Sequence, residues 1–211
     1  RWKYRLFDED TPLHEEGKLF SMSSKDLCAI EYIPSLIEAG VASLKIEGRM
    51  KAQYYIATVI RAYRMCIDEY YEKGFISKER MEFFKNEVGK AENRRTAIGF
   101  YEGMPKSEDH LYGVNGSGVT KEFLAYVLDY NKETKMAKLQ IRNNFKAGEE
   151  AEVFGPGKEN LPFITSTLYD GDGNVVEVAK TPMQILYMKI EHEVKANDMI
   201  RRILKEKENV Y

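Results

Sequence analysis

The sequence predicts an α+β protein in two parts, the end of a parallel α/β body followed by a small antiparallel β domain. Two observations carry this prediction. Residues 19–73 alternate between short apolar runs and helical patterns, as strand–helix units of a parallel sheet do. From about residue 93, apolar residues recur with a period of two between closely spaced turns, which indicates an antiparallel barrel or sandwich. We therefore predict one domain over residues 1–92 and another over residues 93–211.

The first strand–helix unit is predicted from an apolar run and a capping signal. Residues 19–24 read as a short strand. Ser23 precedes Asp26 at capping-box spacing, which predicts a helix from that point to the glycine stop at Gly40. Residues 41–46, VASLKI, are then predicted to form the second strand.

Residues 51–74 give the clearest helical pattern, because their apolar residues recur on one face and Gly74 ends the run. Ser77 is predicted to cap a further helix that reaches about Val88. Two such units cannot bury both faces of a two-stranded parallel sheet. The first part therefore reads as the tail of a larger α/β body, and a chain that begins at Arg1 reads as an internal fragment.

The second part is predicted to contain six or more short strands. The tetrapeptide 131–134, NKET, reads as a hairpin turn, and so does 170–174, DGDGN. DGDGN also resembles the start of a calcium loop, but Val175 and Thr181 stand where that loop needs Gly and Glu. The predicted strand segments are 123–130, 135–143, 149–154, 162–170, 174–180, 184–194 and 198–205.

A faint internal repeat links two of the turns in this part. FKAGE at 145–149 resembles VKAND at 194–198, and each precedes a predicted strand. Gly148 and Asn197 occupy the position where a left-handed residue would return the chain to the barrel. The pattern leaves both chance similarity and an ancient duplication open.

Composition excludes several classes of protein. The 211 residues carry 32 Lys+Arg against 34 Asp+Glu, a balance that argues against a strongly electrostatic nucleic-acid binder but leaves room for a local basic face. The sequence contains no apolar run long enough to span a membrane. Its two cysteines form no disulfide framework, which fits a cytoplasmic protein. The three histidines show no metal-binding spacing, and no nucleophile motif is present.

The stretch SLKIEGRMK, residues 43–51, places charges in the gap between a predicted strand and a predicted helix. Alternation puts Lys45 and Glu47 on the same side of the strand, and Arg49 follows. Two interpretations are open: the charges form a polar floor at the ligand end of the sheet, or they are a salt-bridged rim in solvent.

The two cysteines have different predicted settings. Cys66 lies on the apolar stripe of the 51–74 helix and reads as a core residue. Cys28 falls in the first turn of the helix predicted after Ser23, where the helix dipole would stabilise a thiolate. A buried structural cysteine is the alternative.

The block SMSSKDLCAIEYIPSLIEAGVASLKIEGRMKAQYYIATVIRAYR, residues 21–64, closely resembles the collagenase-like peptidase family U-32. Weaker matches follow at TAIGFYEG, QIRNNFKAGEEAEV and VKANDMIRR. The resemblance implies a modified (βα)8 barrel followed by a small β-barrel domain. Residues 1–92 would then hold two βα units of the barrel tail with an extra helix, and residues 93–211 the antiparallel β-barrel domain.

The resemblance also implies a set of candidate site residues. Lys45, Glu47 and Arg49 would face the site end of the barrel, at the exit of its last strand. Lys25 and Asp26 would lie at the exit of the neighbouring strand. These five residues are the catalytic candidates.

Cys28 matches a cysteine that relatives use, together with three upstream cysteines, to hold an iron–sulfur cluster. The other three ligands would precede Arg1. The resemblance therefore implies a cluster in the full-length parent, with Cys28 as one ligand, and no cofactor or metal in this chain alone.

Three functions follow from the resemblance. Some relatives act in RNA base hydroxylation, including that of the wobble uridine of tRNA, which makes tRNA or rRNA the expected partner. The family name implies a collagenase-like protease instead, and a non-catalytic RNA- or partner-binding module is the third alternative. We favour an RNA-hydroxylating parent enzyme, and we expect this chain alone to be inactive. We also expect a homodimer through the helix over residues 51–73.

Overall fold

The computed structural model describes residues 7–12, 22–91, 96–106, 109–112 and 123–203. The chain divides into two compact units, residues 1–119 and residues 120–211, and each unit has its own apolar core. The described part of the first unit mixes helices with short strands, whereas the described part of the second consists of strands and the turns between them. Within the described residues, no helix is long and apolar enough to cross a membrane.

Among the described residues of the first unit, three α-helices pack together. A 3₁₀ helix, Ile30–Tyr32, leads into α1, and their apolar residues share a core with α2 and α3. Antiparallel pairs form between β1 and β2 and between β3 and β6, whereas β4 and β5 are parallel. The elements are β1 Phe7–Asp8, β2 Thr11–Pro12, β3 Met22–Ser24, β4 Asp26–Leu27, α1 Ile33–Glu38, α2 Gln53–Lys73, α3 Lys78–Gly89, β5 Thr96–Ala97 and β6 His110–Tyr112.

The two long helices confirm the predictions made from local signals. α2 ends at Gly74, whose φ of 75° is left-handed and therefore suits glycine. Ser77 caps α3, because its hydroxyl accepts a hydrogen bond of 3.2 Å from the backbone N–H of Arg80. A buried ion pair joins the two helices, with 2.8 Å between Arg61 Nη1 and Glu87 Oε2.

The strand predicted over residues 41–46 is wrong. That segment has no regular secondary structure, and all of its residues are exposed. A strand exists only where a neighbouring backbone forms hydrogen bonds with its N–H and C=O groups. None of the described strands pairs with residues 41–46. Without that strand, the tail of a (βα) barrel is not confirmed.

The helix predicted to start near Asp26 begins later in the structure. Asp26 and Leu27 instead form β4, which pairs with Thr96 and Ala97 of β5. Cys28 extends this pairing, because its backbone N–H donates to Ala97 O at 2.9 Å. A tertiary strand pairing has therefore overridden the local capping signal.

The division between the units also falls later than the predicted boundary between residues 92 and 93. Strand pairing accounts for the difference. β5 pairs with β4, and β6 pairs with β3, so both later strands belong to the first unit. The composition shift near residue 92 therefore marks the end of the helical segment rather than the end of the unit.

The second unit is a curled antiparallel sheet, and its strands lie within or next to the predicted segments. The sheet runs in the order β11-β10-β16-β7-β8-β15-β12-β13, and β9 pairs separately with β14. β11 begins this order and β12 is the second strand from its other end, yet only residues 165–167 separate them, so the sheet curls back on itself. The strands are β7 Phe123–Asn131, β8 Met136–Ile141, β9 Phe145–Lys146, β10 Glu150–Phe154, β11 Leu161–Ile164, β12 Leu168–Tyr169, β13 Val175–Val176, β14 Val178–Ala179, β15 Ile185–Lys189 and β16 Met199–Arg202.

Both predicted hairpin turns are confirmed. Asn131 Oδ1 accepts from the backbone N–H groups of Glu133 and Thr134, each at 3.0 Å, between β7 and β8. Asp170 Oδ1 accepts from the N–H groups of Asp172 and Asn174, each at 2.9 Å, between β12 and β13. The Asp170 carboxylate therefore organises the turn itself, as the hairpin interpretation requires.

The repeated turn motifs adopt the same conformation. Gly148 and Asn197 both have positive φ angles, 86° and 74°. In each motif an acid three residues along accepts from the backbone N–H of a lysine. Glu149 Oε1 accepts from Lys146 at 3.1 Å, and Asp198 Oδ2 accepts from Lys195 at 2.7 Å. The predicted left-handed positions are confirmed.

A buried ion pair lies where the strands after these turns meet. β10 and β16 are antiparallel neighbours, and Glu152 is directly opposite Arg201. Arg201 Nε lies 2.6 Å from Glu152 Oε1, and the guanidinium lies 4.3 Å from the centre of the Phe154 ring. Arg201 is fully buried, so removal of its partner would leave an uncompensated charge in the core.

Gly155 is predicted to be essential for the packing of the second unit. A Cβ atom there would lie 2.0 Å from Asp198 Oδ1, and Asp198 is buried and also paired with Lys158. We expect Gly155→Ala to lower the free energy of unfolding by about 1–3 kcal/mol, measured by calorimetry. The control is Gly171→Ala, where a Cβ meets no atom within 4 Å. Equal stability of the two variants would contradict this account.

Candidate functional site

The first unit contains a cavity of about 430 Å³, here called the Asp26 pocket. β4, the extended segment before α2 and the first half of α2 form most of its walls. Its size is within the range of ordinary ligand sites. The lining residues are Asp26, Leu27, Cys28, Ala29, Leu36, Ser43, Leu44, Lys45, Ile46, Glu47, Lys51, Tyr55, Val59, Tyr63, Val88, Thr96 and Tyr101.

A half-buried ion pair forms the polar part of this pocket. Lys51 Nζ lies 2.7 Å from Asp26 Oδ2, and the two side chains are 23% and 22% exposed. The same ammonium lies 4.6 Å from the centre of the Tyr55 ring, a cation–π contact that further fixes its position. β4 supplies the acid, and the turn before α2 supplies the base. The pair therefore presents an acceptor next to a donor in a preset arrangement.

Tyr63 of α2 holds the chain at Cys28. Its hydroxyl accepts from the backbone N–H of Ala29 at 2.8 Å and donates toward Cys28 Sγ at 3.8 Å. Burial raises the pKa of the Tyr63 phenol well above its usual value, so the group keeps its proton and remains a donor. Since Cys28 precedes the 3₁₀ helix, the predicted position in the first turn of a longer helix is wrong.

The structure brings four of the six predicted site residues to one pocket. Asp26, Cys28, Lys45 and Glu47 all line it. Lys45 Nζ and Glu47 Oε2 lie 3.8 Å apart, but their side chains are 89% and 71% exposed, so their mutual attraction is weak.

The two remaining candidates, Lys25 and Arg49, do not line the Asp26 pocket. The backbone N–H of Lys25 donates to Asp109 O at 3.4 Å. Arg49 is exposed in the turn that follows the extended segment. Neither position brings a charge into the cavity.

An aromatic pair forms a further wall of the pocket. Tyr101 stacks on Tyr32 with ring centres 4.5 Å apart and an interplanar angle of 18°. Tyr32 is fixed in turn, because its hydroxyl donates to Glu102 Oε1 at 2.6 Å. That hydrogen bond is the main reason that the pKa of Tyr32 rises to about 12. Tyr101 lines the pocket and is 42% exposed.

Sequence patterns did not single out Lys51, Tyr63 or Tyr101 as functional. Lys51 ends the stretch SLKIEGRMK, directly before the helix. That position is the sequence feature that could have indicated a functional role for it. Tyr63 is indistinguishable from a core residue on the apolar face of α2. Tyr101 lies outside the long helices and regular strands, so periodicity gave no indication of its role.

The described residues contain no group of three or more His, Cys, Asp or Glu side chains placed to hold a metal ion. Cys66 is fully buried in the core of the first unit, as predicted. Cys28 lines the Asp26 pocket and is half-buried. The two thiols are therefore in separate environments.

The two cysteines are predicted to differ in reactivity. Burial raises the pKa of the Cys66 thiol to about 12, which keeps it protonated near neutral pH, and the side chain is inaccessible. We expect iodoacetamide to alkylate Cys28 in the folded protein and to spare Cys66 until the protein is unfolded. Peptide mass spectrometry after timed labelling measures this. Equal labelling of both sites in the folded state would contradict the described core.

The fold and pocket define a protein with a mixed α/β unit followed by a curled antiparallel domain, with a polar and aromatic cavity in the first unit. The chain belongs to peptidase family U32. The family model matches residues 1–111, and the model of the family's C-terminal domain matches residues 120–201.

Several relatives of known name are similar to most of this chain. The tRNA hydroxylation protein P1 of Bacillus subtilis is 42% identical over 96% of the chain, and the chain covers 49% of that protein. The tRNA hydroxylation protein P of Escherichia coli is 26% identical over 89% of the chain, covering 40% of that protein. A collagenase of Porphyromonas gingivalis is 30% identical over 72% of the chain, covering 37% of that protein. The chain thus spans about half or less of the length of these relatives.

A solved structure also matches part of the chain. It is the C-terminal domain of a Geobacillus thermoleovorans protein assigned to the U32 peptidases, with 37% sequence identity over 41% of this chain and 98% of that chain. The TM-score is 0.39.

Proposed function

We propose that the full-length protein acts in the hydroxylation of a tRNA base. The similarity that carries this proposal is the 42% identity, over almost the whole chain, to a protein named for tRNA hydroxylation. The Asp26 pocket supports it, since aromatic walls and a fixed acceptor–donor pair suit a planar polar substrate.

Cys28 fits the role of one ligand of an iron–sulfur cluster in the full-length protein. Its sulfur lies in the wall of a cavity, half-buried, and Tyr63 orients it. Cys66, the other cysteine of the sequence, is enclosed in the core, so further thiolate ligands would come from outside these 211 residues. When bound, such a cluster supplies one-electron chemistry, and its potential responds to hydrogen bonds at the sulfurs.

The residues of this chain would then bind and orient rather than supply a nucleophile. The Asp26–Lys51 pair holds one acceptor and one donor at the cavity wall. Tyr63 fixes the backbone at Ala29 and donates toward the Cys28 sulfur. Lys45 and Glu47 keep the exposed side of the cavity polar.

The proposal predicts separate effects for the two cysteines. In a strain that lacks the gene, we expect hydroxylated uridine to disappear from tRNA, as measured by mass spectrometry of nucleosides. Wild type and Cys66→Ser should restore it, whereas Cys28→Ser should not. The purified Cys28→Ser protein, handled without oxygen, should also lose most of its iron, because the loss of one thiolate ligand weakens the binding of the cluster.

The two parts of this proposal can fail independently. Unchanged tRNA in the strain that lacks the gene would remove the hydroxylation function. Equal iron content in wild type and Cys28→Ser would remove the cluster role of Cys28, even if the hydroxylation function stands.

Proteolysis is the second candidate, because two relatives are named collagenase and each is 30% identical over 72% of this chain. A cysteine protease needs a base next to its thiol. Among the described residues, the hydrogen-bond partner of Cys28 Sγ is the hydroxyl of Tyr63, not a histidine. The pocket therefore favours the hydroxylation proposal, and a non-catalytic RNA- or partner-binding role remains the alternative for the second unit.

We also propose that this chain dimerises through α2. Ile56, Ile60 and Tyr71 of that helix are exposed, although the sequence pattern places the two isoleucines on the predicted apolar face. We expect a dimer by size-exclusion chromatography with light scattering, and we expect Ile60→Glu to give a monomer. Glu72→Gln, also exposed on α2, is the control. A monomeric wild type would exclude this interface.

A further inference from the structure

We infer that the Asp26 pocket takes a single nucleobase flipped out of an RNA loop, stacked on Tyr101 and contacted at its edge by Asp26 and Lys51. This inference rests on the proposed function and names the binding residues for its substrate. Enzymes that modify bases hold the flipped base between aromatic or apolar walls and contact its hydrogen-bonding edge. The pocket contains both kinds of group.

The stacking wall is already ordered. Tyr101 lies flat against Tyr32, and the hydrogen bond from Tyr32 to Glu102 fixes that ring in turn. A ring held in this way loses little freedom when a base stacks on it, so the stacking energy contributes almost fully to binding. Tyr101 is partly exposed and lines the cavity, so it is accessible to a ligand.

The Asp26–Lys51 pair matches the edge of a base. Every nucleobase presents a hydrogen-bond donor next to an acceptor on its pairing edge. A carboxylate accepts and an ammonium donates, and these atoms lie 2.7 Å apart in the wall of the pocket. This arrangement is complementary to the edge of a nucleobase, without choosing among the four bases.

The surface beside the pocket fits single-stranded RNA. Phe100 and Met104 are exposed on the loop that carries Tyr101, and Leu27 is exposed at the end of β4. Exposed apolar groups beside a binding cavity offer a surface on which a ligand can bury apolar area. Bases that flank a flipped nucleotide are unstacked, and aromatic faces such as Phe100 suit them. A protein segment is the other class of ligand that could occupy this surface, and the test below distinguishes the two.

The test uses the full-length protein and two RNA hairpins that differ at one loop position, a uridine or an abasic site. Fluorescence anisotropy gives both dissociation constants. We expect Tyr101→Leu to weaken binding of the uridine hairpin by roughly 5- to 150-fold, the range for one stacked base, and to leave the abasic hairpin unchanged. Tyr101→Phe keeps the ring and should bind both hairpins as wild type does.

One control variant and a stability measurement separate base recognition from damage to the fold. Phe75→Leu removes an exposed aromatic ring that does not line the pocket, and it should not alter either dissociation constant. Asp26→Asn should bring the dissociation constants of the two hairpins closer together, because the hydrogen-bond acceptor for the base edge is weakened. Thermal unfolding of each variant shows whether the fold is retained.

Two results would overturn the inference. In the first, a folded Tyr101→Leu protein still discriminates between the hairpins as wild type does. In the second, it loses affinity for both hairpins equally, which would place the ring against sugar, phosphate or protein. Either result leaves the hydroxylation proposal standing if tRNA from the strain that lacks the gene still loses its hydroxylated uridine. Conversely, the strain that lacks the gene could have unchanged tRNA while the protein still prefers the uridine hairpin in a Tyr101-dependent way. That pair of results would support the nucleobase site and contradict the hydroxylation proposal.

Discussion

The first unit depends on how the backbone is held at residues 26–29. β4 pairs in parallel with β5, the N–H of Cys28 continues that pairing to Ala97, and the N–H of Ala29 donates to the Tyr63 hydroxyl. These bonds come from a distant strand and from the middle of α2. They fix Asp26 and Cys28 at the wall of one cavity, so loss of the Tyr63 hydroxyl alone would loosen both the backbone and the thiol.

This constraint also explains which elements could be predicted from the sequence. α2 and α3 carry their own signals, an apolar face and the end residues Gly74 and Ser77. The antiparallel strands of the second unit are likewise set by alternation and turn residues. The capping pattern at Ser23 was misleading because β5, far along the chain, forms hydrogen bonds with the backbone of β4. Residues 41–46 have the composition of a strand, but pairing requires a partner that no local pattern reveals.

The site was predictable only in part, for a similar reason. Asp26 and Cys28 stood out through their resemblance to a known block, and both line the pocket. Tyr63 acts through its hydroxyl, and Tyr101 acts through one face of its ring. Those roles depend on the position of the side chain relative to other elements rather than on spacing along the chain. Lys45 and Glu47 line the pocket but remain largely in solvent. The polar-floor and exposed-rim interpretations of residues 43–51 are therefore each correct in part.

The repeated turns in the second unit make its sheet internally symmetric. β8 and β15, which precede the turns, pair with each other, as do β10 and β16, which follow them. At the residue pairs Lys138–Tyr187 and Glu152–Arg201, a local pseudo-twofold axis therefore relates the two paired strands. Two identical halves would meet as a homodimer in which each axial residue faces its own copy. A charge there would meet a like charge. Because one chain carries both halves, this unit places glutamate opposite arginine on the axis and neutralises a buried site that a symmetric dimer would have to leave uncharged.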